Sequence, residues 1–195
     1  MSCNILTIPE DPTNNGAIFK PIVKALMREA GKPNANVKVM TDPHVGGYAQ
    51  VAAMLRDGNT AIIEKYGHYD FWLFLPDSDL CSESAASDIE IIVERNLRAN
   101  GKSTRFFCCP IIPESEILCS VSRFKQLSVR WDEARLLTQG FKEQVFEPLV
   151  KSLGYENNAT MGRDILAIEA ASNMSMFFNL IPEMKNLRDK IAASS

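Results

Sequence analysis

Two groups of acids stand where apolar runs stop. The run Cys3–Ile8 is followed, after Pro9, by Glu10-Asp11. Phe71 to Leu75, the most apolar segment of the chain, is followed, after Pro76, by Asp77-Ser78-Asp79. Carboxylates gathered in one crevice repel one another unless a cation sits between them. Hard oxygen donors of this kind suit Mg²⁺, Mn²⁺ or Ca²⁺. Residues i and i+2 of an extended segment point the same way, so Asp77 and Asp79 are expected to face one ion. The chemistry such a set supports is metal-assisted work at a phosphate, in which the ion screens charge and a carboxyl moves the proton. The plainer alternative is that Asp77 forms a turn and Asp79 caps the helix that follows.

Acids at strand ends meet only if the strands lie side by side in a parallel sheet, whose ligands collect outside the carboxyl ends. The first half of the chain alternates in that way. Cys3–Ile8, 36–41, 71–75 and 104–109 read as strands, apolar at nearly every position, as strands buried on both faces are. Helical spacing is expected over 14–30, 48–55, 60–66 and 84–99. Thr13 or Asn14 is the expected cap of the first helix and Gly31 its end, with Pro21 either in the first turn or bending it. Four such alternations imply a parallel, helix-covered sheet. Neighbouring strands are about 4.8 Å apart, so Glu10 and Asp77 share a crevice if theirs are adjacent.

Beyond about residue 113 the pattern turns helical, over 114–124, 131–137, 141–153, 162–172 and 182–192. The expected organisation is an α/β core over residues 1–112, with a mostly parallel four-stranded Rossmann-like sheet. A helical extension over 113–195 packs on it within one structural domain.

Composition narrows the function classes. With 195 residues, 46% hydrophobic and 23% charged, the chain can bury a core of ordinary size. A net charge of −3 gives no overall attraction to nucleic acid, although Lys102, Arg105, Arg123, Lys125 and Arg130 form a local basic concentration. Five cysteines without a Cys-x-x-Cys pair, and only His44 and His68, argue against a disulfide scaffold or a zinc site. Cysteines used as small hydrophobes suit a reducing, cytoplasmic setting. No apolar run approaches the roughly 20 residues that span a bilayer, so no membrane association is expected. The amino terminus lacks the pattern of a secretory signal. Gly46-Gly47 belongs to no phosphate-binding fingerprint, and Ser78 and Ser82 have no positioned His to make either a nucleophile.

The acids also carry a resemblance. Glu10-Asp11-Pro12-Thr13-Asn14 is similar to the Glu-Gly-x-Thr-Asp opening of OLD-like and related bacterial TOPRIM proteins, with Asp11 in place of the Gly and Asn14 in place of the Asp. Asp77-Ser78-Asp79 after the third strand resembles the family's Asp-x-Asp. Pro113-Glu114-Ser115-Glu116-Ile117-Leu118 looks like its Glu-Ile-Glu-x-Trp-Leu segment. Gly162-Arg163 opening one helix, and Ile181-Pro182-Glu183 preceding another that bears Leu187 and Arg188, resemble its tail. The resemblance spans most of the chain.

It implies a TOPRIM-like nuclease that uses Mg²⁺ or Mn²⁺ on nucleic acid, in DNA repair or phage defence. Glu10 would act as general acid and base, and Asp77 and Asp79 would hold the metal. Asp11 and Glu116 would be additional acids. Two other readings stand beside this one. A catalytically inactive TOPRIM-like subunit would bind a protein partner, or a second copy of itself, through the helical tail. A receiver-like signalling domain would be phosphorylated at Asp77, but Cys109-Pro110 stands where such a domain ends its fourth strand with Lys, and the chain is longer by several helices.

Overall fold

The computed structural model describes residues 3–11, 15–137 and 140–194. Four strands, β1 (Cys3–Ile8), β2 (Ala35–Val39), β3 (Phe71–Phe74) and β4 (Arg105–Cys108), form one all-parallel sheet in the order β2-β1-β3-β4. Helices α1 (Gly16–Glu29), α2 (Tyr48–Arg56), α3 (Thr60–Tyr66) and α4 (Glu83–Ala99) connect them. The remainder is helical: α5 (Glu116–Ser120), a 3-10 segment (Val121–Gln126), α6 (Trp131–Arg135), a π-helical turn (Lys142–Phe146) leading into α7 (Glu147–Ser152), then α8 (Arg163–Ala171), α9 (Met174–Leu180) and α10 (Pro182–Ala193). The parallel α/β sheet flanked by helices, with a helical carboxyl-terminal part, is thus the expected class.

The strands are apolar throughout because both faces are covered. Ile5, Phe71, Leu73 and Phe107 point into a core made with α1 and the carboxyl-terminal helices. Leu6, Ile8, Trp72, Phe74, Phe106 and Cys108, alternating with them, point into a second core under α2, α3 and α4. Phe141, Phe146, Leu166 and Phe177 join Ile5, Phe19, Ile22 and Leu73 in one continuous cluster, so the carboxyl-terminal helices roof the α1 side of the sheet. Each such side chain, removed fully from water, contributes on the order of 1.5–3 kcal/mol before ordering costs. Trp72, the largest fully buried residue, satisfies its indole N–H by donating to the Tyr66 carbonyl at 3.0 Å.

Several local expectations shift. Pro21 lies inside α1, five residues past its start. The caps expected at Thr13 or Asn14 lie outside the described residues. The helix expected over 114–124 is α-helical only to Ser120 and then tightens into the 3-10 segment, where Arg123 leaves helical geometry at φ −116°. The guanidinium of Arg123 is drawn into a two-pronged pair with Glu169 of α8, at 2.8 and 2.9 Å. Helix α9 is an additional element, and its one sequence signal is Asn173, whose side chain accepts from the Met176 N–H at 3.1 Å. Among the described residues, no helix is long and apolar enough to cross a membrane.

Candidate functional site

Strand order creates the site. From β1 the chain moves outward to β2 with α1 on one face, then crosses back over β1 to β3 with α2 and α3 on the other. The β1–β3 boundary is therefore the point where the winding reverses, and there a parallel sheet opens a crevice at its carboxyl edge. β1 pairs with β3 from Ile5↔Phe71 to Ile8↔Phe74, so both strands end level. Glu10 and Asp77 follow directly.

Three further segments, those leading into α1, α2 and α5, meet around these two carboxyls. Asp77 extends the sheet by one isolated parallel bridge to Ile111, and its N–H donates to Glu10 Oε2 at 3.4 Å. Asp77 Oδ1 accepts two bonds from Ser115, from the backbone N–H at 2.7 Å and from the hydroxyl at 2.6 Å. Asn15, just before α1, donates from Nδ2 to Ser115 Oγ at 3.4 Å. On the far side, the Gly47 N–H donates to the Glu10 carbonyl at 2.8 Å, tying the start of α2 to the end of β1. Gly47 has φ +81°, a conformation that favours glycine and lets the chain turn at this close approach.

Both carboxyls are held away from ionisation. Burial is the largest cause at Glu10 and raises its proton affinity; the Asp77 N–H opposes this, while the charges of Asp79, Asp11 and Glu116 add to it. Burial is also the largest cause at Asp77, which is pushed up to about 7 despite the Ser115 hydroxyl, with Glu10 and Glu116 adding like charge. Two acids whose environments favour the proton, side by side in a crevice, are the pattern expected of a functional site.

The other acids divide. Asp79 is exposed, because the extended chain ends at Asp77 and residues 78–80 turn, with the Leu80 N–H donating to the Asp77 carbonyl at 3.3 Å. The two-residue spacing of an extended segment therefore does not carry through to Asp79, although its charge is felt at Glu10. Asp11 is half-buried and likewise felt at Glu10. Glu116 is only 5% exposed, and its Oε1 accepts from Arg163 at 2.8 and 3.2 Å. The cap of α4 is Ser82, which accepts from the Ala85 N–H at 3.2 Å, so Asp79 is not needed for it. His44 and His68 are exposed. Of the basic concentration, Arg105, Arg123 and Arg130 pair with Glu94, Glu169 and Asp132.

Ser115, Asn15 and Arg163 escaped the reading of the sequence as site residues. Ser115 and Arg163 do lie inside the Pro113–Leu118 and Gly162-Arg163 segments that carry the resemblance, but nothing local marks their partners. Gly162 has a visible reason: its φ is +72°, and a Cβ there would meet the Tyr155 side chain at 2.7 Å, so glycine alone lets the chain turn into α8 and present Arg163.

The raised proton affinity of Asp77 has a thermodynamic consequence. The folded state holds this proton more tightly than the unfolded state, whose carboxyl titrates in the ordinary range near 3.8. The associated stability is therefore complete in acid and is lost as pH rises toward about 7. Asp77→Asn keeps an acceptor for Ser115 and cannot ionise. The variant should be more stable than wild type by roughly 2 kcal/mol at pH above neutrality, discounted for partial solvent contact, with the gap closing in acid. Urea unfolding across that range checks it, and a gap independent of pH would contradict it.

Among the described residues, no three His, Cys, Asp or Glu side chains converge to hold an ion by themselves. Glu10 and Asp77 are the fixed carboxyls, with Asp79 on the rim. No family model, curated protein or solved structure matches this chain.

Proposed function

We propose that the chain is a Mg²⁺- or Mn²⁺-dependent phosphodiesterase acting on nucleic acid, of the TOPRIM-like kind, with its centre at Glu10, Asp77 and Asp79. The observation that carries this reading is the burial of Glu10 and Asp77 against one another at the β1–β3 strand ends, with added negative charge from Asp79, Asp11 and Glu116. Among the described residues the ion pairs lie elsewhere, and none reaches Glu10, Asp77 or Asp79. Such a set calls for a cation.

The donor set fits Mg²⁺ in a particular way. This ion keeps several waters and is commonly held by one or two carboxylates together with substrate phosphate oxygens, rather than in an all-protein cage. Asp77 is oriented for that part by Ser115, and Asp79 stands at the rim where substrate arrives. When bound, the ion would supply charge neutralisation at the phosphate and an acidified water. Glu10, whose burial and acidic neighbours raise its proton affinity, would exchange a proton with the reacting oxygens. Glu116, paired with Arg163, would serve instead to keep Ser115 and the start of α5 in place.

The test is a Mg²⁺ and Mn²⁺ titration of wild type and the Asp77→Asn/Asp79→Asn variant, by calorimetry and thermal shift, with cleavage of DNA and RNA measured in parallel. An ion that binds only the folded state stabilises it by about 2.7 kcal/mol at a hundred times its Kd. Wild type should show that rise and metal-dependent cleavage, and the variant neither. An equal metal response and equal cleavage in both proteins would end this proposal.

A further inference from the structure

A cavity of about 350 Å³ opens at the carboxyl edge of the sheet, between α4, the end of β4 and α10. Ser78, the neighbour of Asp77, lines it, so the cavity begins one residue from the crevice. Clefts that take small ligands run from about 300 to 1,000 Å³ and are mostly apolar, with a few placed polar groups. Here the apolar part is Ala86 of α4, Pro110 and Ile112 after β4, and Leu187 of α10.

Glu183 and Glu90 line the same space and differ in what they hold. Glu183 is fully engaged: it accepts from Arg135 at 2.8 and 3.0 Å and from the Ile112 N–H at 3.2 Å. Glu90 is engaged on one side only. Its Oε1 accepts from the Cys108 N–H at 2.9 Å, which anchors the carboxylate to the end of β4, and Lys190 Nζ stands 3.8 Å from the same oxygen. Among the described residues, no hydrogen bond or ion pair reaches Glu90 Oε2. The cavity thus presents an anchored carboxylate with an open acceptor, an ammonium beside it and apolar walls.

We propose that this cavity binds a guanine base of the substrate strand, that of a nucleotide beside the bond to be cut; the place of the phosphate rests on the phosphodiesterase reading above. On its pairing edge guanine carries N1–H and an N2 amine hydrogen side by side, with the O6 acceptor next to N1. The complement of that edge is a carboxylate with an ammonium at one side. Each carboxylate oxygen has two lone pairs, so Glu90 Oε1 takes N1–H besides the Cys108 N–H, and Oε2 takes the amine. Lys190, on the Oε1 side, donates to O6. Adenine, cytosine and uracil have no adjacent pair of donors on this edge. A site built to bond a ligand N–H rejects a ligand that lacks it, because its own polar group is then left unpaired. The flat apolar faces of the base pack on Ala86 and Leu187. A base inside a duplex has its pairing edge occupied, so the strand is single or opened at this position.

The experiment uses the full chain without metal. Guanosine, adenosine, cytidine and uridine are titrated separately, and binding is read by saturation-transfer NMR. Guanosine should take up saturation at its base proton, and the other nucleosides should not. Glu90→Gln keeps an acceptor for the Cys108 N–H but turns the other oxygen into a donor. It should weaken guanosine by about tenfold or more, the worth of one hydrogen bond to a charged group. Ser87→Trp is the second variant. Ser87 is exposed on α4 and lines the cavity, so an indole there fills the space and should abolish guanosine binding with Glu90 in place. Equal saturation of all the nucleosides, none of guanosine, or guanosine binding unchanged by both variants would overturn the inference. Cleavage with Mg²⁺ then separates it from the reading it rests on. Single-stranded oligonucleotides should be cut preferentially beside guanosine, and Ser87→Trp should lose that preference. Selective guanosine binding by a chain that cuts no oligonucleotide would keep the guanine site and end the phosphodiesterase reading. Cutting at equal rates whatever base flanks the bond would keep that reading and overturn the guanine site.

Discussion

Arg163→Ala should unfold this protein more readily than any other single change near the crevice, at a cost of about 3–5 kcal/mol. Arg163 is 3% exposed and Glu116 5%. Two guanidinium nitrogens donate to Glu116 Oε1, a third donates to the Thr160 carbonyl at 3.3 Å, and the guanidinium lies over the Phe146 ring with 5.1 Å to its centroid. Truncation removes all of these and leaves the Glu116 carboxylate buried without its cation. Urea unfolding is the measurement, with the midpoint moving and the slope unchanged. The double change Arg163→Met/Glu116→Gln should cost much less, because replacing both charges avoids the uncompensated one. A single-variant loss below about 1 kcal/mol would mean that the pair is not the buried staple described above.

The ion pair matters to the site as well as to stability. Arg163 begins α8 and Glu116 begins α5. The residue before Glu116 is Ser115, whose two bonds orient Asp77. A change more than eighty residues along the chain from Asp77 should therefore disturb its carboxylate through a fixed chain of contacts: Arg163 to Glu116, the start of α5, Ser115 and Asp77.

On the phosphodiesterase reading, Glu10→Gln should lower metal-supported cleavage by roughly 10²- to 10⁴-fold, the range for losing a positioned proton-transfer group. The amide keeps the size of the side chain and an oxygen to accept the Asp77 N–H. Asp77, Asp79 and Ser115 are untouched, so the metal-dependent thermal shift should survive. The two readouts separate roles: cleavage falls while ion binding persists. Single-turnover rates at saturating Mg²⁺ provide the measurement. A fall of less than about tenfold would assign the proton to another group, and loss of the thermal shift would instead make Glu10 a ligand.

The legible parts of this molecule are those set by short-range pattern. Phe71 to Leu75 cannot have one face in water without exposing two or three large apolar side chains, so a strand covered on both faces is the economical solution, and a parallel sheet supplies it. Cys3–Ile8 and Thr60–Tyr66 run from end to end as the pattern indicates. Helix 114–124 was less legible, because Arg123 leaves helical geometry for Glu169, a residue of another helix. Helix α9 was hidden because its apolar run is short and its one cue is Asn173.

At the site the division is sharper. Sequence by itself determined that Glu10 and Asp77 stand just past the ends of buried strands, since those strands are specified by runs of neighbouring residues. Tertiary structure alone decided that β1 lies beside β3, which brings these two carboxyls together at the reversal of the sheet. It also decided that a turn leaves Asp79 at the rim, that Ser115, itself bonded by Asn15, holds Asp77, and that Arg163 pairs with Glu116. Local pattern is blind to such pairings because the partners are up to 100 residues apart in the chain. Whether an acid becomes a ligand, a proton donor or half of a structural ion pair depends on burial and on the charge nearby, and both are properties of the packed fold.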